Sequence, residues 1–145
     1  MTELTKKKRP EFRNINIFTD VRGYRLPLAA LVSILHRVSG LLMLLLLPFI
    51  IWLFDKSLTS ELSFAEFSAA YTTGLGFVPA WFVKLVTLAL VWAYLHHLCA
   101  GFRHLWLDVD HGAITKEKGR NSAVVVFAIS IVLTLALGAK LFGLY

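Results

Sequence analysis

The chain has 145 residues, 57% of them hydrophobic, with a mean hydropathy of +0.68 and a formal net charge of +6. A soluble domain is closer to half apolar and interleaves its apolar residues with polar ones, whereas this chain concentrates them in three segments. The composition therefore predicts an all-α membrane protein with three transmembrane helices, and it disfavours a soluble enzyme.

The motifs of soluble catalysis are also missing from the sequence. It contains no phosphate-binding loop, no Cys-x-x-Cys and no carboxylate pair within the apolar segments. The single cysteine, Cys99, lies in an apolar segment and cannot form an internal disulfide, so we interpret it as a packing residue.

Seven basic residues precede the first apolar segment: Lys6, Lys7, Lys8, Arg9, Arg13, Arg22 and Arg25. A basic tail can bind nucleic acid. Beside a membrane segment, however, basic residues typically set the orientation of that segment and bind anionic lipid. The first twenty residues lack the apolar core of a signal peptide. We therefore expect a cytoplasmic basic tail over 1–27, with membrane lipid and not nucleic acid as its partner, and a single membrane domain over 28–145.

The three spans are expected at about 28–54, 78–107 and 123–144. Pro27 suits the first turn of a helix, where its missing N–H needs no partner. Pro48 should kink the first span or loosen one of its backbone hydrogen bonds.

A short surface helix is expected between the first two spans. The pattern Ser63-Phe64-Ala65-Glu66 is typical of a capping box and predicts a helix over about 63–72. Gly74 and Gly76 should end that helix. A polar loop over 108–122 should join the second span to the third.

The distribution of basic residues predicts the orientation of the three spans. The tail holds seven basic residues, the first loop only Lys56, and the second loop three, namely Lys116, Lys118 and Arg120. By the positive-inside rule the N-terminus is cytoplasmic and the C-terminus periplasmic. The protein is thus expected to be a multi-pass protein of the bacterial inner membrane.

The segment 33–40 places polar residues inside the first span. An arginine at this depth is costly unless something pairs with it, so Arg37 is a functional candidate. Ser33 and Arg37 are four residues apart and share one helix face, while His36 and Gly40 share the neighbouring face.

A second polar cluster lies in the second span, where His97, Gly101 and His104 form one stripe. His36 and His97 both lie roughly 13–15 Å from the cytoplasmic ends of their spans. Imidazole is a common haem ligand, a glycine one turn away leaves room for a flat macrocycle, and haem propionates need cationic partners. The two clusters are therefore chemically suited to the edge of a haem.

Each polar residue also has a purely structural interpretation. A lone membrane histidine often forms hydrogen bonds between helices, which is the favoured interpretation for His96. Arg103 and His104 lie near enough to the interface to snorkel. In the third span, Ser130, Thr134 and Gly138 form a small-xxx-small row that predicts a packing seam.

A family resemblance rests on both polar clusters, in the motifs Ser33-x-x-His36-Arg37-x-Ser39-Gly40 and His97-x-x-x-Gly101-x-Arg103-His104-x-x-x-Asp108. Together with the three-span layout and Arg9-Pro10, they resemble the cytochrome b membrane-anchor subunit of bacterial succinate dehydrogenase, the larger of its two anchor subunits. The resemblance covers nearly the whole chain. It implies that this chain forms part of a heteromeric helix bundle.

The resemblance implies a haem b shared with a second membrane subunit. His97 matches the axial iron ligand, with the adjacent His96 as the alternative, and the second membrane subunit would supply the opposite ligand. His36 and Arg37 match residues near the haem propionates, and Gly101 would allow the haem to approach the helix.

The resemblance also implies a ubiquinone site on the cytoplasmic side. Ser33 and Arg37 match residues that line it, and Leu26 lies where a related member has an aromatic quinone contact. Ubiquinone would be the substrate of respiratory complex II, whose electrons come from an iron–sulfur subunit fed by a flavoprotein that oxidises succinate. The chain would carry no catalytic residue when alone.

Three other functions fit the same residues. The chain could anchor a quinol:fumarate reductase that runs the reaction in reverse, or serve as a structural anchor without a cofactor. It could also conduct protons through His36, Arg37 and His97.

Overall fold

The computed structural model describes Asn16, Gly23, residues 25–110 and residues 115–145. Most of the predicted basic tail lies outside these residues, as does part of the predicted polar loop. The described ranges form five helices and no strand beyond one isolated bridge between Leu75 and Val78. The helices are α1 (Leu28–Leu45), α2 (Leu47–Leu58), α3 (Glu61–Thr72), α4 (Ala80–Val109) and α5 (Lys116–Leu141).

The predicted all-α membrane fold is confirmed. Helices α1, α4 and α5 are each long and apolar enough to cross a membrane. Most large apolar side chains on their outer surfaces are exposed, as expected for a protein surrounded by lipid. Among the exposed residues of α5 between Val124 and Leu137, every side chain is apolar.

The first predicted span consists of two helices. Pro27 immediately precedes α1, as expected for a residue whose nitrogen has no hydrogen to donate. The chain turns at Leu46, and Pro48 lies in the first turn of α2. Proline is tolerated in the first turn of a helix, so the break between α1 and α2 falls just before Pro48.

The surface helix forms, but the predicted capping pair is wrong. Ser60 caps α3, since its hydroxyl accepts a hydrogen bond from the Ser63 backbone N–H and the Ser63 hydroxyl accepts one from the Ser60 N–H. Glu66 instead forms an ion pair with Lys56 of α2 at 2.6 Å. This hydrogen-bonded partner raises the pKa of Lys56. The ion pair therefore joins α2 to α3 across the turn between them.

Helix α4 packs against both α1 and α5, and α1 and α5 also contact each other. A small buried cluster at one end contains Val32, Ala100, Ala123 and Val126. The predicted third span begins earlier than expected, because Thr115 caps α5 by accepting a hydrogen bond from the Lys118 N–H. This extends α5 into the predicted polar loop.

The predicted packing seam of α5 is confirmed. Ser130, Thr134 and Gly138 are all buried, and the two hydroxyls donate to carbonyls of their own helix. At Gly138 the contact with α4 is close, since an added Cβ would lie 2.8 Å from Cδ1 of Leu88. The small residues therefore set how closely α5 approaches α4.

We expect Gly138→Val to destabilise the protein by about 1–3 kcal/mol, because the added atoms force Leu88 out of its place. The melting temperature of the purified protein in detergent measures the effect. Ala136→Val is the matched control, since Ala136 is exposed on the same helix. Equal melting temperatures for the two variants would contradict the assignment of Gly138 to a close contact.

Candidate functional site

The structure brings His36 of α1 and His97 of α4 together, a contact that their matching depths allow. Their rings stack with centroids 4.0 Å apart and planes inclined by 19°. Each ring lies over a glycine of the opposite helix. A Cβ at Gly40 would lie 3.1 Å from Cε1 of His97, and one at Gly101 would lie 3.7 Å from Nε2 of His36.

A hydrogen bond fixes the ring of His97. Its Nδ1 lies 3.0 Å from the backbone carbonyl oxygen of His36. Because a carbonyl can only accept, Nδ1 must carry the hydrogen, and in the neutral ring Nε2 then has the free lone pair. Within the described residues, Nε2 has no hydrogen-bond partner. This arrangement is typical of a histidine that binds a metal through Nε2.

Ser39 belongs to the same hydrogen-bonded group, and sequence reasoning assigned it no role. It is fully buried, and its hydroxyl donates to the His36 carbonyl at 2.8 Å and lies 3.3 Å from Nδ1 of His97. The carbonyl of His36 thus accepts from both Ser39 and His97. A serine three residues after a membrane residue commonly donates back to its own helix, but only the fold reveals the contact with His97.

A third imidazole adjoins the pair. The ring centroid of His104 lies 5.1 Å from that of His36. In the described part of the chain, no group of three or more histidine, cysteine or acidic side chains could together hold a metal ion. Any metal bound here through His97 would therefore need a further ligand from elsewhere.

His96 has different surroundings from its neighbour. Its side chain is 0% exposed and packs against Trp92 and Phe127, with ring centroids 5.4 and 5.6 Å away. Neither ring nitrogen has a hydrogen bond of good geometry within the described residues; the backbone of Val32 is the polar group that faces the ring. Successive helix residues are about 100° apart. His96 consequently lies between α1 and α5, against the Val32 backbone and the Phe127 ring, while the His97 ring stacks on His36 of α1.

Ser33 and Arg37 lie beside the histidine pair on α1. Ser33 is half-buried and Arg37 is exposed. Within the described ranges, neither side chain has a hydrogen bond or an ion pair, so both can serve a ligand outside this chain. Leu26 is separate from them: it lines a cavity between the start of α1, the end of α4 and the start of α5.

Arg103 does not snorkel to the membrane surface, although its position in the sequence allowed that interpretation. Its side chain is buried, and it donates from Nε to the Ser122 hydroxyl at 2.9 Å and from Nη2 to the Gly119 carbonyl at 3.4 Å. The guanidinium thus turns toward α5 and away from the histidines.

We expect Gly40→Ala to lower the stability of the protein by about 1–3 kcal/mol, since the new methyl group would push against a ring that its hydrogen bond holds in place. Thermal unfolding in detergent measures this change. Gly119→Ala is the control, because a Cβ at that position meets nothing within 4 Å. A Gly40→Ala protein that melts with the parent would refute the close contact.

Comparison with known proteins finds a family that matches most of the chain. The model of the family described as "Succinate dehydrogenase/Fumarate reductase transmembrane subunit" matches residues 5–137. The chain is 30% identical over 133 residues to the succinate dehydrogenase cytochrome b556 subunit of Paracoccus denitrificans, covering 92% of each chain. It is 32% identical over 120 residues to the subunit of the same name from Coxiella burnetii, covering 83% of this chain and 89% of the relative. The matches therefore include both helices that carry the histidine pair.

Proposed function

Because the chain belongs to the succinate dehydrogenase/fumarate reductase transmembrane subunit family, we propose that it anchors a succinate:quinone oxidoreductase, contributes to haem b ligation and helps to bind ubiquinone. It acts as an electron-transfer subunit and carries no complete catalytic site of its own. The observation that carries the proposal is the hydrogen bond from Nδ1 of His97 to the His36 carbonyl, which leaves Nε2 available for iron.

The residues around His97 fit a haem. A bound haem b would supply one-electron transfer. His97 would be its axial ligand, and the shared carbonyl acceptor holds the imidazole in the tautomer that iron requires. Among the described residues of this site, His97 is the histidine whose ring is held in this way. This supports the proposal that a second membrane subunit supplies the second iron ligand. His96 is a poorer ligand, because its ring is enclosed by Trp92 and Phe127.

The neighbouring side chains fit the edge of the same group. His36 lies against His97, and Arg37 is the adjacent cation on α1, which supports the proposal that both pair with haem propionates. The ring of His36 lies next to Gly101. We propose that a haem would approach α4 at Gly101, beside that ring.

Ubiquinone is proposed to bind at Ser33 and Arg37. Reduction of a quinone places negative charge on its carbonyl oxygens before protons arrive. A serine hydroxyl and a guanidinium that have no partners within the described chain can donate hydrogen bonds to those oxygens. Arg37 would then lie between the quinone and the haem edge. Leu26 would contact the quinone only if the ligand reached the cavity at the start of α1.

The remaining parts of the assembly follow from the family. We propose a bacterial inner-membrane location with a cytoplasmic N-terminus, based on the basic residues that precede α1. The partners would be a second small anchor subunit, an iron–sulfur subunit and a flavoprotein. An anchor of a quinol:fumarate reductase is the second candidate, because the family description covers both enzymes.

We expect His97→Ala to abolish the dithionite-reduced b-type absorption spectrum in membranes where the protein is still assembled, because no other imidazole occupies its place. His96→Leu is the comparison, and it should retain the spectrum because it alters buried packing and leaves His97 in place. A normal spectrum in the His97 variant would refute ligation. Loss of the spectrum in the His96 variant alone would transfer the ligand role to His96. A cofactor-free anchor predicts that the unaltered protein has no such spectrum.

We expect Arg37→Lys to lower the succinate:quinone reductase rate by roughly tenfold, because lysine keeps the charge but loses the planar fork of donors. Electron transfer from succinate to an artificial acceptor that bypasses quinone should be unchanged. Lys140→Arg, the reverse exchange at an exposed position near the end of α5, is the control. Normal quinone reduction in the Arg37 variant would contradict the proposed role. Proton conductance by the chain without partners would favour the relay function instead.

A further inference from the structure

Among the residues that the structure describes, Arg103 is a buried cation without a buried anion beside it. Its side chain is 8% exposed, and its hydrogen bonds go to the neutral Ser122 hydroxyl and Gly119 carbonyl. Within residues 25–110 and 115–145, the ion pair between Lys56 and Glu66 is the only one. A buried guanidinium without a counter-charge is costly. The position therefore calls for an anion from outside the described chain.

Two cavities meet at Arg103. One is an apolar groove of about 560 Å³ between α4 and α5. The other is a basic cavity of about 1070 Å³, whose lining includes Arg25, Lys116 and Arg120. The nearest carboxylates along the chain, Asp108, Asp110 and Glu117, are exposed and line neither cavity. The surroundings of Arg103 thus offer positive charge on one side and an apolar channel on the other.

The apolar groove has walls suited to an acyl chain. Its lining includes the bulky side chains of Phe102, Trp106, Val125 and Ile129. Interfaces between membrane helices favour small residues instead, such as the buried Ser130, Thr134 and Gly138 of α5. Apart from Lys118 and Asn121, which also line the groove, the exposed surface of α5 along it is apolar, which indicates contact with lipid.

The depth of Arg103 matches that of a phosphate. Helix α4 has 30 residues and is about 45 Å long, so it exceeds the roughly 30 Å hydrocarbon core and projects roughly 7 Å at each end when centred. Arg103 lies six residues before the end of α4, roughly 9 Å along the helix. Trp106, one turn closer to the end, is the residue type typical of the membrane–water interface.

We propose that the groove between α4 and α5 binds one anionic phospholipid, with its phosphate on Arg103 and one acyl chain along Val125 and Ile129. Basic pockets between membrane helices are suited to such headgroups. On α4 the groove residues Cys99, Phe102 and Trp106 lie roughly opposite His97 at 100° per residue. The site is therefore separate from the histidine pair and does not depend on the proposed haem or quinone.

The test is the lipid that the protein retains. The full chain, with the subunits that accompany it, is purified in mild detergent, delipidated by detergent exchange and incubated with phosphatidylglycerol, phosphatidylcholine or inorganic phosphate. Native mass spectrometry then counts the bound molecules. We expect one phosphatidylglycerol per chain and no comparable retention of phosphatidylcholine or inorganic phosphate. Arg103→Gln should lower phosphatidylglycerol retention roughly five- to tenfold, while Lys140→Gln, at the other end of α5, should leave it unchanged.

A second pair of variants tests the groove without altering charge. Ile129→Trp should fill the groove and displace the lipid, whereas Ile131→Trp adds the same bulk at a similarly exposed position outside it. This pair decides the question if Arg103→Gln fails to assemble. Retention that is equal in the Ile129 and Ile131 variants, or equal for both lipids, would overturn the proposal. Loss of an accompanying subunit from Ile129→Trp with lipid still bound would show instead that a protein partner covers the groove.

Discussion

The candidate site depends on one polar contact, in which Nδ1 of His97 donates to the backbone carbonyl of His36. Inside a membrane, helix pairs gain little from apolar burial, so close packing and interhelical hydrogen bonds determine how they associate. A helical carbonyl has a second lone pair beyond its own ladder, and here that carbonyl also accepts from Ser39. The ring of His97 can reach it only because Gly40 has no side chain. The spacing of His36, Ser39 and Gly40 thus serves a single contact with α4.

The same contact explains why two adjacent histidines behave differently. His97 points toward α1 and has a hydrogen-bonded ring with one nitrogen left over, whereas His96 is enclosed between aromatic rings. A rotation of about 100° between successive residues is enough to separate these environments. Helix α4 therefore carries two polar faces: one holds His97 and His104 beside His36, and the other holds Arg103 and its contacts with α5.

The sequence predicts the features that depend on local pattern. Three apolar segments give three helices of membrane-spanning length, the small residues of α5 form the seam with α4, and equal depth brings His36 to His97. The errors arise where tertiary contacts choose between local options. Ser60 takes the cap that the pattern assigned to Ser63, with Ser63 as its reciprocal partner, and Glu66 pairs with Lys56. Likewise Arg103 is near enough to the interface to snorkel, but a hydroxyl on α5 accepts its hydrogen bond.

The polar groups within the spans fall into two kinds, and the difference bears on assembly. Ser130 and Thr134 donate to their own helix and need nothing further. Arg37 is exposed on α1 beside Ser33, and the described residues supply neither with a partner. A cation exposed to hydrocarbon at this depth is stable only when an anion or a polar surface covers it. The outer face of α1 next to the histidine pair is thus incomplete by itself, which is the condition for a cofactor site shared between subunits.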